Sequence, residues 1–244
     1  MCGFATFFEL GTDFDPKLLR DVSNDLHHRG PDGDGMIVEP GVAMIFRRLA
    51  IIDPTENSNQ PMSDPGGRYS MVFNGEIYNF RLLRDQLSAL GTHFKTIGDT
   101  EVVLQSYMRW GNDCFSKFEG MFAVVIWDRE EKKIVVARDP FGIKPLYRTQ
   151  LRSFFGFGSE LRVLRRFVKT EVDLSGLSEL LLFRFATAPK TGLTNIEQLP
   201  PGHICTINLC NNSTQEWCYC DPLDFLENPE KQSVEQIKER TQIA

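Results

Sequence analysis

Short apolar runs separated by glycine and proline dominate the chain up to about Gly158, and this pattern restricts the fold more than any other feature. MFAVVIWD and KIVVAR are two such runs joined by a charged turn, and LYRTQ and FFGFG form a further pair. GMIVEPGVAMIF is typical of a hairpin that turns at Pro40-Gly41. RYSMVFNGEIYN indicates two strands about Asn74-Gly75, because Asn-Gly strongly favours a tight hairpin turn. CGFATFF predicts a first strand, and HICTINLCNNSTQEWCYC predicts a final hairpin.

Helical spacing interrupts these strands in several places. The predicted helices lie in DPKLLRDVSNDL, NFRLLRDQLSALG, DTEVVLQSYMRWG and LSGLSELLLFRF, and a further one begins near Ser233. Asp15, Asn79 and Asp99 stand where N-caps are expected, and Pro16 follows the first of them in a favoured position. Helices placed between groups of strands predict an α+β chain with two β-layers covered by helices.

Length and charge limit the classes of function. A chain of 244 residues suits one large domain, or one domain with a tail. The formal charge of −6 and the lack of a basic block argue against nucleic acid or an anionic membrane as partner. No apolar run has membrane-spanning length, the amino terminus lacks the parts of a signal peptide, and the cysteines are scattered. These features predict a cytoplasmic protein.

The opening residues MCGF place a thiol beside the amino terminus. A free thiol near its usual pKa of about 8.5 is mostly protonated at neutral pH and needs a base. An α-amino group titrates near about 7.7–8.0, so removal of Met1 would let Cys2 supply both nucleophile and base. On this residue alone, a buried apolar strand position is the commoner explanation.

Ten motifs favour a nucleophilic Cys2 over a buried strand position. MCGF, HHRGPDGDG, RRLAIID, NQPM, FNGEIYN, GDTEVV, GMFAVVIWD, ARDPFGIKPLY, GSELRVL and LPPGH follow one another in this order. The chain from Cys2 to Phe225 resembles the glutamine-hydrolysing domain of class II glutamine amidotransferases, and most closely that of asparagine synthetase. The resemblance implies the four-layer N-terminal nucleophile hydrolase sandwich, with two antiparallel sheets between helical layers. Residues 226–244 would then be a linker and the start of a truncated or absent synthetase domain.

The resemblance also implies an activity. Met1 would be removed, and Cys2 would attack the side-chain amide of glutamine, giving glutamate and ammonia through a γ-glutamyl thioester. Asn74 and Gly75 correspond to the oxyanion hole, and their expected hairpin turn would expose both donors. Arg29, Gly30, Pro31 and Asp32 would form a loop supporting the nucleophile.

Six residues are assigned to substrate binding by the same resemblance: Arg48, Leu49, Ile51, Ile52, Glu76 and Asp99. Arg48 would hold the α-carboxylate, since a planar guanidinium suits two oxygens. Asp99 and Glu76 would hold the α-ammonium, and the segment from Leu49 to Ile52 would add backbone contacts. On local grounds alone, Arg48 could be a solvated charge at a strand end and Asp99 a plain N-cap.

Two other arrangements compete for the cysteines. His27 or His28 could pair with Cys2, although the amino terminus already offers a base of suitable pKa. The last hairpin gathers potential zinc ligands: His203, Cys205, Cys210, Cys218 and Cys220. With a turn at NNST, Cys205 would lie opposite Cys220, with Cys218 on the same face. The spacing is not the usual knuckle pair, and the resemblance implies no metal.

The sequence departs from its relatives at two places and lacks one motif. Phe46 stands where relatives often have histidine, and Cys218-Tyr219-Cys220 replaces a more usual Tyr-Trp. The sequence contains no phosphate-binding glycine pattern, so we expect no cofactor. ATP and magnesium would be needed only if a separate synthetase domain or subunit receives the ammonia. A second copy of the chain is a further candidate partner. The rival hypothesis is a non-catalytic remnant that binds glutamine or regulates a partner.

Overall fold

Twelve strands form two antiparallel sheets in the computed structural model, which describes residues 1–51, 53 and 55–223. In chain order the strands are β1 (Gly3–Phe8), β2 (Gly33–Glu39), β3 (Val42–Arg48), β4 (Met62–Ser63), β5 (Tyr69–Ile77), β6 (Gly120–Asp128), β7 (Lys133–Arg138), β8 (Tyr147–Leu151), β9 (Phe154–Gly158), β10 (Glu197–Gln198), β11 (His203–Asn208) and β12 (Ser213–Cys218). The first sheet has the order β10-β8-β9-β1-β3-β2, and the second has the order β12-β11-β7-β6-β5-β4.

Five α-helices accompany the sheets in the described residues: α1 (Pro16–Asp25), α2 (Phe80–Ala89), α3 (Asp99–Trp110), α4 (Leu161–Leu164) and α5 (Leu174–Phe183). Short 3₁₀ segments occur at Glu56–Ser58 and Gly111–Lys117. The Asp15 carboxylate accepts a hydrogen bond from the Lys17 N–H at 2.8 Å, so the predicted cap of α1 is confirmed. The predicted hairpin at Pro40-Gly41 is also confirmed, as β2 and β3.

Each central strand is buried on both of its faces. In β1, Phe4 and Phe8 belong to the core between the two sheets, while Ala5 and Phe7 pack with α1 and α4 on the outer side. In β6, alternate residues likewise face the inter-sheet core or the core beneath α2 and α3. The order of layers is therefore helix, sheet, sheet, helix, which confirms the predicted α+β sandwich.

The Asn74-Gly75 pair lies inside β5 and forms no turn. Asn74 is paired with Ala123 and Gly75 with Phe122, so the strand continues to Ile77. A Cβ at position 75 would lie 2.5 Å from the carbonyl oxygen of Met121 in β6. The prediction of a hairpin here was wrong, because the glycine is required by close approach of the neighbouring strand and not by turn geometry.

Two predicted helix caps have different roles. Gly98 occupies the N-cap position of α3, and Asp99 is the first residue of the helix. Asn79 precedes α2 as predicted, but its side chain bonds the backbone at Lys117 and Glu119 instead of capping the helix. Both side chains are used for contacts between distant segments.

The register of the last hairpin differs from the prediction. Its turn is formed by 209–212, and Cys205 pairs with Glu216, not with Cys220. Cys205 is buried between the sheets, whereas Cys210 and Cys218 are exposed. No group of three or more histidine, cysteine or acidic side chains suited to a metal occurs in the described part of the chain. The helix predicted from Ser233 and the segment 226–244 lie outside the described residues.

Candidate active site

One cavity of about 320 Å³ brings the predicted residues together from four separate segments. The site residues that line it are Cys2, Arg48, Leu49, Ile51, Asn74, Gly75, Glu76 and Asp99. Ile52, the ninth predicted residue, lies outside the described residues. The cavity thus contains the start of β1, the end of β3, the middle of β5 and the start of α3.

Cys2 is held at the cavity by contacts of its sulfur and of its carbonyl group. Its Sγ accepts a hydrogen bond from the Leu49 N–H at 3.3 Å and lies 3.5 Å from the Leu49 carbonyl oxygen. The Cys2 carbonyl accepts a hydrogen bond from Nε of Arg29 at 3.0 Å. Burial raises the pKa of the Cys2 thiol, and the Leu49 bond and nearby positive charges oppose that rise. His28 contacts Glu160 at 2.7 Å, and no histidine contact to Cys2 occurs among the described residues.

Met1 is present in this structure, so the nitrogen of Cys2 is an amide. The Met1 side chain lines the same cavity, and its Sδ lies 3.8 Å from Nζ of Lys144. An amide nitrogen has no basic lone pair, and Cys2 has no amine base in this form of the chain.

The side-chain amide of Asn74 has a donor without a hydrogen-bond partner in the described part of the protein. The residue is 1% exposed, and its Nδ2 is buried without a hydrogen-bond partner among the described residues. A buried donor left unpaired costs about 1–3 kcal/mol. Since Asn74 lines the cavity with Cys2, an oxygen bound beside the sulfur would be a suitable acceptor for this N–H.

Asp99 is a buried carboxylate that lines the same cavity. It is 5% exposed, and its Oδ2 accepts a hydrogen bond from the Ile77 N–H at 3.0 Å. Burial raises the pKa of Asp99 to about 6, and the charge of Glu76 acts in the same direction. A cation in the cavity would stabilise the ionised form, so the site is suited to an ammonium group.

Arg48 has only part of its guanidinium occupied. Its Nη1 donates to the carbonyl of Thr55 at 2.7 Å and to Oδ1 of Asn59 at 2.8 Å, and its Nη2 donates to the carbonyl of Asp53. A guanidinium has five N–H donors. The Nε–H and one Nη2–H have no partner among the described residues and are available to a carboxylate.

Sequence reasoning missed two buried residues that shape the cavity. The Asp53 carboxylate accepts bonds from the hydroxyl groups of Thr55 and Ser58 and from the Ile97 N–H. These hydrogen bonds, that of Thr55 first, hold the pKa of Asp53 well below its usual range. Asp53 thereby ties the loop after β3 to the start of α3. The Asp-x-Thr spacing, which favours a local side-chain turn, was the available signal.

Gln60 is the second missed residue. Its amide donates to the Phe73 carbonyl at 3.0 Å and accepts from the Phe73 N–H at 2.6 Å. The side chain therefore pairs with β5 as a neighbouring strand would, directly before Asn74. Its motif NQPM was recognised, but no role was predicted for it.

A larger cavity of about 710 Å³ lies between β8 and β12. Arg148 there is ion-paired with Glu197 and Glu216, and none of the predicted site residues lines it. The smaller cavity is therefore the candidate active site.

Two antiparallel sheets between helical layers, with Cys2 at an edge of the inter-sheet core, define an N-terminal nucleophile hydrolase sandwich. The solved glutamine phosphoribosylpyrophosphate amidotransferase of B. subtilis matches with a TM-score of 0.65 and 20% identity, over 90% of this chain and 49% of that one. A structure described as the allosteric regulatory enzyme of purine biosynthesis matches with a TM-score of 0.67, also at 20% identity, over 90% of this chain and 49% of that one. These matches confirm the predicted fold.

The particular family follows from the sequence comparisons. The profile described as a glutamine amidotransferase domain matches residues 1–218, and the chain belongs to this family. Asparagine synthetase [glutamine-hydrolyzing] 1 of Bacillus subtilis (strain 168) is 39% identical over 212 residues, which are 85% of this chain and 33% of the relative. A probable asparagine synthetase of Schizosaccharomyces pombe is 37% identical, over 67% of this chain and 30% of the relative. The chain spans about a third of the length of these relatives.

The α-helices of the described residues have lengths of 4 to 12 residues. None of them is both long enough and apolar enough to cross a membrane.

Proposed function

We propose that this chain is a glutaminase, which hydrolyses glutamine to glutamate and ammonia. One observation carries the proposal: a single cavity is lined by the thiol of Cys2, the buried carboxylate of Asp99 and an amide N–H of Asn74 that has no partner in the described part of the chain. These groups match a nucleophile, a donor for developing negative charge and a partner for an ammonium group.

The proposed reaction begins after Met1 is removed. The freed α-amino group of Cys2 takes the thiol proton, and the sulfur attacks the side-chain carbonyl carbon of glutamine. Asn74 Nδ2–H and the Gly75 N–H donate to the oxyanion of the tetrahedral intermediate. The intermediate collapses when the Cys2 ammonium protonates the leaving nitrogen, and ammonia departs. Water, activated by the same amine, then cleaves the thioester to release glutamate and the thiol.

The proposed pose places the charged end of glutamine away from the sulfur. The α-carboxylate would accept the two remaining N–H groups of Arg48, and the α-ammonium would lie against Asp99 with Glu76 nearby. Leu49 and Ile51 would add contacts to the substrate, and the predicted role of Ile52 lies outside the described residues. This pose satisfies the buried carboxylate and leaves the amide carbon facing Cys2.

The ammonia would be used by a synthetase domain or subunit. The named relatives are asparagine synthetases that hydrolyse glutamine, and they are about three times as long as the matched part. We propose that this chain supplies the glutaminase half of such an enzyme in the cytoplasm, and that ATP and magnesium act in the synthetase half alone. A homodimer stays a prediction of the sequence.

A glutaminase assay on untagged protein, with intact mass to establish loss of Met1, tests the proposal. We expect hydrolysis without ATP or magnesium, and no asparagine from aspartate, ATP and glutamine. Cys2→Ala should abolish hydrolysis, as should an uncleaved N-terminal tag, because the base is then an amide. Cys210→Ala is the matched control, since that thiol is exposed in a distant turn.

The possible results separate the two hypotheses. Full activity of Cys2→Ala or of the tagged protein would refute the mechanism. Calorimetric binding of glutamine with no hydrolysis by the processed wild-type protein would instead support the non-catalytic remnant. Asparagine formation by the chain alone would refute the division into two halves.

A further inference from the structure

A rigid loop connects β7 to β8 and carries Lys144 to the candidate active site. The Asp139 carboxylate, which is fully buried, accepts N–H groups from four residues: Phe122, Phe141, Ile143 and Lys144. Arg138 donates to three carbonyl groups: those of Gly142, Lys144 and Leu199. Several of these bonds are made by the N–H and carbonyl of Lys144 itself and by the backbone at positions 141–143. The path of this loop is therefore set by two buried charged residues, and the position of Lys144 is set with it.

The side chain of Lys144 is buried and lines the cavity that contains Cys2. It is 6% exposed, and its ammonium group lies 3.8 Å from Met1 Sδ. No carboxylate forms an ion pair with this ammonium among the described residues. Burial of a cation without a counter-ion is costly, and such groups are concentrated at functional sites.

The other charges at the cavity do not neutralise Lys144. The carboxylate of Asp139 is taken by backbone N–H groups, and that of Asp53 by the loop after β3. The charged groups that face this region are the cations Arg29, Arg48 and the amino group of Met1, and the acids Asp53, Glu76, Asp99 and Asp139. Glu76 and Asp99 line the same cavity but form no ion pair with Lys144 among the described residues, so a thiolate at Cys2 would be a counter-ion for this ammonium.

We propose that Lys144 is a positioning residue for the reaction, whose buried ammonium holds the Cys2 sulfur in its thiolate form. Its role in glutamine hydrolysis rests on the function proposed above, whereas its effect on the thiol does not. Removal of Met1 takes away the thioether contact and leaves the ammonium facing the freed terminus. Arg48, which also lines the cavity, acts on the thiol in the same direction, but its guanidinium is bonded to the loop after β3, whereas Lys144 has no ion pair among the described residues.

The test measures the thiol directly. Alkylation of Cys2 by iodoacetamide is followed across pH in processed full-length protein, with the N-terminal peptide resolved by mass spectrometry from the other cysteines. A charge within about 4–6 Å shifts a titration midpoint by about 1–3 units, and a solvent-open cavity favours the lower end. In Lys144→Met the midpoint should rise by about one pH unit, with alkylation about tenfold slower below it. Lys144→Arg should restore the wild-type midpoint.

Lys169→Met is the matched control, because Lys169 is exposed and the net charge changes equally. An unchanged midpoint in a folded Lys144→Met would overturn the inference, as would an equal shift in Lys169→Met. If the methionine variant does not fold, Lys144→Gln gives the same test with a polar side chain. A shifted midpoint in a protein that never hydrolyses glutamine would reject the proposed function and keep the assignment of Lys144 to the thiol.

Discussion

Asp99→Asn is expected to stabilise the protein at neutral pH while weakening glutamine binding. Asparagine has almost the same shape, and its Oδ1 can keep the hydrogen bond from the Ile77 N–H. The change removes a charge that is 5% exposed and has no cation partner among the described residues. The pKa rises from 3.8 to about 6, which at about 1.4 kcal/mol per unit corresponds to roughly 3 kcal/mol. The free energy of unfolding at pH 7 should therefore rise by up to this amount.

The sign of the pH dependence follows from linkage. Below about pH 4, Asp99 is protonated in both the folded and unfolded states, so the buried charge costs nothing. The cost grows as pH rises from the unfolded pKa to the folded pKa of about 6, and it is fully present above that value. The stability gap between Asp99→Asn and the wild type should close as pH falls from about 6 to about 4. Urea unfolding at several pH values measures this gap.

Asp53→Asn is the control with the opposite sign. Hydrogen bonds lower the pKa of Asp53, so its stabilisation is present above the unfolded pKa and is lost as pH falls. This variant should be less stable than the wild type at pH 7 and approach it in acid. The reasoning on Asp99 would be refuted if Asp99→Asn were less stable than the wild type at pH 7, or if the gap did not change with pH.

Binding is measured separately, in a Cys2→Ala background that cannot turn glutamine over. Loss of a hydrogen bond to a charged group costs about 1.5–3 kcal/mol, so Asp99→Asn should raise the glutamine Kd roughly ten- to a hundredfold. In the protein with Asp99 intact, affinity should fall as pH drops below about 6, because the protonated carboxyl no longer attracts the ammonium. Equal affinity in both proteins at pH 7 would contradict the proposed pose.

Two further substitutions test the cavity and the strand beside it. Asn74→Ala should lower kcat by roughly a hundredfold or more with little change in KM, because an oxyanion donor acts in the transition state. Steady-state kinetics that showed an effect on KM alone would contradict this. Gly75→Ala should lower Tm and reduce the free energy of unfolding by about 1–3 kcal/mol, because its Cβ would lie 2.5 Å from the Met121 carbonyl oxygen. An unchanged thermal melt would show that β6 can move away.

Local structure was largely predictable from short-range pattern. The α1 helix begins where Asp15 and Pro16 indicate, and the Gly41 turn joins the predicted strands. These signals involve residues that are neighbours in the chain, where capping and turn preferences act directly. The ordered motifs also predicted the family, because ten of them match in one order.

The incorrect structural predictions concern residue types that are compatible with two different local structures. Glycine at position 75 satisfies either a turn or a close strand contact, and only the presence of β6 beside it decides which. Asp99 could cap its own helix or bond the Ile77 N–H, and the structure shows the second. In the final hairpin the turn is formed by 209–212 and not by the predicted 211–214, and this shift pairs Cys205 with Glu216.

The sequence by itself determined the secondary structure of most segments, the family and the chemical types available at the site. Only the tertiary structure placed Cys2, Asn74, Asp99 and Lys144 on one cavity, although 142 positions separate the first from the last. It also left the Asn74 donor and the Lys144 cation unpaired by the described protein groups, and buried the Asp99 charge. Desolvation and lack of a partner depend on every segment that packs around a side chain, and a local pattern contains no record of those segments.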